Sequence, residues 1–191
     1  MTTTMNPVGE REKRLFTVAE YYQMAAAGIL TEDDRVELIE GEVVQLPPIG
    51  SGHGGRVNRL TKLFVRALGD RAVVAVQNPV RLSEISEPQP DLAILHYRGD
   101  FYGDSHPGPG DVHLIIEVTD TSGGYDRSVK AALYARTGIP EVWIVDVPGE
   151  VVSVFREPSP EGYRSVTDHR QGDTVAPLAF PDARLRVDEI L

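Results

Sequence analysis

Two runs of strand length dominate the sequence: Val112-His-Leu-Ile-Ile-Glu-Val118 and Glu141-Val-Trp-Ile-Val-Asp-Val147. Apolar almost throughout, they read as strands covered on both faces, as in parallel pairing, and not as strands with one wet side. The stretch between them carries a helical pattern over about 126–137, with Asp126 placed to cap its start and Gly138 to stop it. Strand, crossover helix and strand form a βαβ unit, which requires a sheet with helices packed on it.

The rest of the chain fits around that unit. A Thr17-x-x-Glu20 capping box opens a first helix, Phe16 and Tyr21 are spaced for a hydrophobic staple, and Gly28 closes it. Alternation over residues 35–46 about Glu40-Gly41 predicts a hairpin. A Gly- and Pro-rich loop over 47–55 then leads to a second helix, on which Val57, Leu60, Phe64 and Leu68 share a face. Further strands are expected at 73–77, 80–82 and 91–96. Residues 150–191 read as short hairpin strands broken by Pro158, Pro160, Pro177 and Pro181. No linker composition divides the chain, so residues 15–191 are expected to form one domain behind a flexible tail at 1–14.

Composition excludes several classes. With no cysteine there are no disulfides, thiolate zinc sites or cysteine nucleophile. The five histidines have no zinc-motif spacing, and no G-x-S-x-G elbow is present. Gly50-Ser-Gly-His-Gly-Gly55 matches G-x-G-x-x-G, but a hairpin and Pro47-Pro48 precede it and Asp70 lies before the next strand, so the dinucleotide-binding context fails. No apolar run approaches the roughly 20 residues of a membrane span. The opening MTTTMNPVGEREKR has no apolar segment after its charges, so a signal peptide is not expected and the expected location is cytoplasmic. A net charge of −10 disfavours broad non-specific nucleic-acid binding. Binding is local, however, and residues 51–69 contain Arg56, Arg59, Lys62 and Arg66 with no acid among them. These four are displaced from the apolar helix face and could contact a nucleic-acid backbone or simply be solvated.

Acids inside apolar strands are the candidate chemistry. Glu117 interrupts an otherwise hydrophobic strand, where a carboxylate is costly unless paired, protonated or metal-bound. Asp91 opens the apolar strand Asp91-Leu-Ala-Ile-Leu95. On neighbouring strands the two would form a hard-oxygen site suited to Mg²⁺ or Mn²⁺. Lys130, one turn into the third helix, could reach back to them to orient water or stabilise phosphate charge, and Tyr134 shares its helix face. Singly these residues read as a strand cap, a frayed strand end and a solvated lysine; their order on these elements is what points to a site.

Pro90-Asp91 followed by Glu117-Val118-Thr119 and a helix resembles the PD-(D/E)XK nuclease superfamily. A closer resemblance is to its bacterial Uma-two branch of restriction-endonuclease-like proteins. That likeness runs through Phe16-Thr17-Val18, Val36-Glu-Leu-Ile-Glu-Gly-Glu42, Pro90-Asp-Leu-Ala93, Ile116-Glu-Val118, Asp126, Lys130, Tyr134-Ala-Arg-Thr-Gly138 and Glu141-Val-Trp-Ile-Val-Asp146. The resemblance implies an α/β fold: a mixed central sheet flanked by helices, with an N-terminal helix-hairpin and a C-terminal β-hairpin extension. It also implies metal-dependent DNA phosphodiester hydrolysis with Asp91 and Glu117 holding Mg²⁺ (or Mn²⁺), Lys130 positioning water, and Glu37 as an additional acid. The superfamily lysine normally stands two residues after the acid, where this chain has Thr119; in this branch the role moves to Lys130. Asp120-Thr121-Ser122 replaces the more usual Ser-Pro-Ser. The rival expectation is a non-catalytic DNA-binding or protein-interaction module on the same fold. Exposed sheet edges and C-terminal hairpins commonly pair, so a homodimer is expected.

Overall fold

The structure is a computed structural model that describes residues 13–31, 33–120 and 129–191. The expected tail, apart from its last two residues, and the expected cap Asp126 lie outside the described residues. In chain order the principal elements are α1 (Val18–Ala26), β1 (Val36–Ile39), β2 (Glu42–Gln45), α2 (Ser51–Leu68), β3 (Ala72–Val76), β4 (Leu92–His96) and β5 (Val112–Thr119). They continue with α3 (Ala131–Arg136), β6 (Glu141–Asp146), β7 (Val151–Ser159), β8 (Gly162–His169), β9 (Thr174–Val175), β10 (Leu185–Arg186) and α4 (Val187–Ile190).

Six strands form a mixed sheet in the order β3-β4-β5-β6-β7-β8. Only β5 and β6 pair in parallel, as their βαβ pattern requires; every other neighbour is antiparallel. Strand alternation sorts the two cores. Leu92, Ile94, Leu114, Ile116 and Val118 pack with Val57, Leu60, Phe64 and Leu68 of α2 and with Phe180, Val187 and Ile190 near the C-terminus. Ala93, Leu95, Ile115 and Ile144 face the other way, onto Ile39 of β1 and onto Ala131, Leu133 and Tyr134 of α3. Both faces are therefore covered, which accounts for the near-continuous hydrophobicity of β5 and β6.

The expected first helix is capped as its sequence predicts: Thr17 Oγ1 accepts from Glu20 N–H, and the Glu20 carboxylate accepts from Thr17 N–H. The hairpin turns at Glu40 and Gly41, both at positive φ, the geometry of a two-residue turn matching strand twist. Gly138 ends α3 at φ +81°.

Three local expectations are corrected. The glycine-rich segment is not a loop as far as residue 55; α2 begins at Ser51. Glycine propensity disfavours this by about 1 kcal/mol per residue, but the apolar face of a long helix packed on the sheet carries the first turn with it, and His53 is tied down from that turn. Residues 80–82 form no strand; Val80 and Leu82 bond instead to Pro88 and Ser86 within a tight excursion. Of the C-terminal strands, β9 and β10 are short as expected, at two residues each, but the first two are not. β7 and β8 are nine and eight residues long and extend the main sheet, because Pro158 falls beside the hairpin turn, where it pairs with Tyr163, and not in mid-strand.

The β1–β2 turn is anchored at both ends of Gly41: its N–H donates to Ile85 O and its carbonyl accepts from Phe16 N–H. A Cβ there would lie 2.6 Å from Leu15 Cβ, at φ +81°. Gly41→Ala is expected to lower stability by about 1–3 kcal/mol, read from the urea unfolding midpoint.

Candidate active site

The antiparallel register of β4 and β5 pairs Leu92 with Ile116, so the preceding Asp91 stands beside Glu117. Parity then puts both carboxylates on the sheet face that α3 covers. The Asp91 N–H reaches Glu117 Oε2 at 3.4 Å, and the Val118 N–H donates to Asp91 Oδ2 at 2.9 Å. Each acid is thus braced by the other's strand. β1 brings Glu37 to the same region, and the residue just before α3 is Lys130.

Lys130 Nζ lies 3.1 Å from Glu37 Oε1 and 3.6 Å from Glu117 Oε1, with both pairs almost wholly buried. Tyr134, one turn on, donates its hydroxyl to Glu117 Oε1 at 2.7 Å. Glu37 Oε2 accepts from Gln89 N–H, so each oxygen of Glu37 has a partner and this acid serves as counter-charge to the lysine. The structure therefore brings Asp91, Glu117, Lys130 and Glu37 into one cluster. Asp91, Glu117 and Lys130 line a cavity of about 360 Å³.

Its electrostatics are unbalanced toward negative charge. Burial pushes the Glu117 carboxyl up to about 7, opposed by the Lys130 ammonium and the Tyr134 hydroxyl and assisted by the charges of Asp91 and Glu37. His53 moves upward chiefly through its hydrogen bond to Asp91, against its own partial burial. Among the described residues no three His, Cys, Asp or Glu side chains stand ready to hold a metal ion. Two hard carboxylates with a local excess of negative charge nevertheless fit Mg²⁺ or Mn²⁺. Such ions are commonly held by one or two carboxylates, with water and substrate phosphate completing the shell.

Two neighbours had little sequence signal. His53 Nε2 meets Asp91 Oδ1 at 2.8 Å from the first turn of α2; nothing in its glycine-rich context gives its side chain a direction. Gln77 sits at φ +52°, and its side-chain amide donates to the same oxygen at 3.3 Å. Its backbone N–H also bonds Asp91 O. A non-glycine residue in the left-handed region beside a reactive-looking carboxylate is strain held in place by its surroundings, and nothing in the residue type announces it. Of the basic helix face, Arg59, Lys62 and Arg66 are exposed. Arg56 is half-buried and donates to the Leu191 carbonyl at 2.6 Å.

The fold is thus a mixed sheet flanked by helices, with two acids at paired strand ends and a lysine on the crossover side. The chain matches the Uma2 family model, described as "Putative restriction endonuclease", over residues 18–188, and it belongs to that family. Its architecture is similar to a crystal structure of a "putative nuclease belonging to DUF820" from Anabaena variabilis ATCC 29413. The TM-score is 0.71 at 15% identity, over 92% of this chain and 97% of that one. No protein of curated function matches the chain.

The raised Glu117 carboxyl has a definite linkage. Between its ordinary value of 4.5 and about 7, the folded protein holds a proton that the unfolded chain releases, so stability falls as pH rises through that window and stays low above it. Glu117→Gln removes this slope. Without divalent ions, the variant is expected to be the more stable protein at pH 8, by up to about 3 kcal/mol, and to lose that advantage near pH 4. Denaturant titrations across pH measure it.

Proposed function

We propose that this protein is a divalent-metal-dependent nuclease that hydrolyses phosphodiester bonds in DNA. The observation that carries this reading is the convergence of Asp91 and Glu117 in one cavity with the Lys130 ammonium, all buried yet opening to the cavity. Membership of a restriction-endonuclease-like family supports it.

Asp91 and Glu117 would hold Mg²⁺ or Mn²⁺, and when bound the ion would neutralise phosphate charge and acidify a coordinated water. The protein's own groups do the rest. His53, Gln77 and the Val118 N–H fix the Asp91 carboxylate from three sides, so it does not have to be ordered when it is used. Tyr134 fixes Glu117 in the same way. Lys130, paired with Glu37, presents an ammonium to the cavity, where it orients the attacking water and stabilises charge growing on the phosphate. Arg59, Lys62 and Arg66 on α2 supply exposed positive charge for the DNA backbone, with Arg56 at their head beside the C-terminus.

Purified protein is expected to cut DNA in Mg²⁺ or Mn²⁺ and to stop in excess chelator. Asp91→Ala and Glu117→Ala should each reduce cutting by about 1,000-fold or more, and Lys130→Met by about 100-fold, with far-ultraviolet circular dichroism confirming retained folding. Cutting that survives both acid substitutions would refute the site. DNA bound by the wild type but never cut would favour the non-catalytic module.

A further inference from the structure

The cavity has a second chemistry that phosphodiester hydrolysis does not use. Leu46, Pro47, Pro48 and Ile49, four successive apolar residues between β2 and α2, line it together with the carboxylates. Leu46 is half-buried, whereas Pro47, Pro48 and Ile49 are exposed. The segment is held in place from Arg35, whose side chain donates to the Pro47 carbonyl and whose own carbonyl accepts from Leu46 N–H. An uncharged, anchored strip beside a charged floor fits a ligand with one anionic end and one apolar face.

A DNA duplex does not present that combination. Its outer surface is sugar and phosphate, and its base faces are hidden in the stack. An unpaired strand exposes base faces, and a single base taken into a pocket can be held against apolar as well as aromatic side chains. The cavity, at about 360 Å³, is near the small end of ligand pockets, which span about 300–1,000 Å³. That suits one nucleotide and no larger unit.

We infer that the substrate is an unpaired nucleic-acid strand, one nucleotide of which enters the cavity with its phosphate toward Lys130 and the two carboxylates and its base against Leu46–Ile49. This rests on the nuclease reading and narrows it: the protein acts on single strands, loops, flaps or frayed ends, and intact duplex is a poor substrate.

Fluorescence anisotropy with labelled oligonucleotides tests it, using Ca²⁺ in place of Mg²⁺ so that binding is read without turnover. An unpaired oligodeoxynucleotide is expected to bind at least about tenfold more tightly than a blunt duplex of the same sequence. Ile49→Glu, at an exposed position, should weaken unpaired-strand binding about tenfold and leave duplex binding unchanged, and Ile49→Ala should fall between. Equal affinity for duplex and single strand, or indifference to both Ile49 variants, overturns the inference. Tighter binding of unpaired RNA than of unpaired DNA upholds the unpaired-strand inference and overturns DNA as the substrate. In Mn²⁺, duplex cut as fast as single strand sinks this inference alone and leaves the nuclease reading standing. Cutting of neither sinks both.

Discussion

The arrangement of the molecule follows from the cost of placing carboxylates inside a sheet that is covered on both faces. Glu117 is flanked in sequence by Ile116 and Val118, which belong to the core under α2, and it faces the layer under α3. An isolated charge there would lose more in desolvation than the surrounding packing returns. Lys130, Tyr134 and the Asp91 N–H each offset part of that loss. Glu37 in turn supplies the lysine with a partner, so the N-terminal hairpin is drawn into the same electrostatic unit as the crossover helix. Segments far apart in the chain are held to one another by the need to neutralise one strand residue.

A second buried acid shows that the same constraint can have a purely structural solution. Glu141 is fully buried at the start of β6, where it accepts from Trp143 Nε1, Arg156 Nε and Leu178 N–H. Both of its oxygens are engaged, by side chains of its own and the neighbouring strand and by the backbone of the C-terminal segment, and it does not line the cavity at Asp91 and Glu117. Glu117 differs in lining a cavity. That contrast separates an acid that ties the sheet together from one that remains available for chemistry.

The parts of the fold and site legible in the sequence were those set by periodicity and by residue type. The parallel pairing of β5 and β6 followed from two apolar runs with a helix between them. Asp91 and Glu117 stood out because charged residues are rare in such strands, and Lys130 because of its place after them. The start of α2 was missed because glycine propensity is a local quantity, whereas the helix is extended by the burial of Val57, Leu60, Phe64 and Leu68 further along. The contribution of Gln77 was invisible for a different reason. Its backbone conformation is imposed by the end of β3 and by its bonds to Asp91, none of which depends on glutamine being unusual. The β7–β8 ribbon was underestimated because prolines were read as breaks without knowing that one of them lies at a hairpin end.

The lone parallel pair in an otherwise antiparallel sheet also bears on how the chain reaches its final form. Antiparallel neighbours such as β7 and β8 close over a short turn, whereas β5 and β6 meet only across the crossover, and Glu37 must find Lys130 from a distant part of the polypeptide. Such distant pairings are late and slow events in folding. A growing chain leaving the ribosome therefore carries its acids dispersed and its lysine unattached until α3 has docked. The side chains of the charge cluster span residues 37 to 134, so the buried acids gain their full set of partners only once that whole stretch is available to fold.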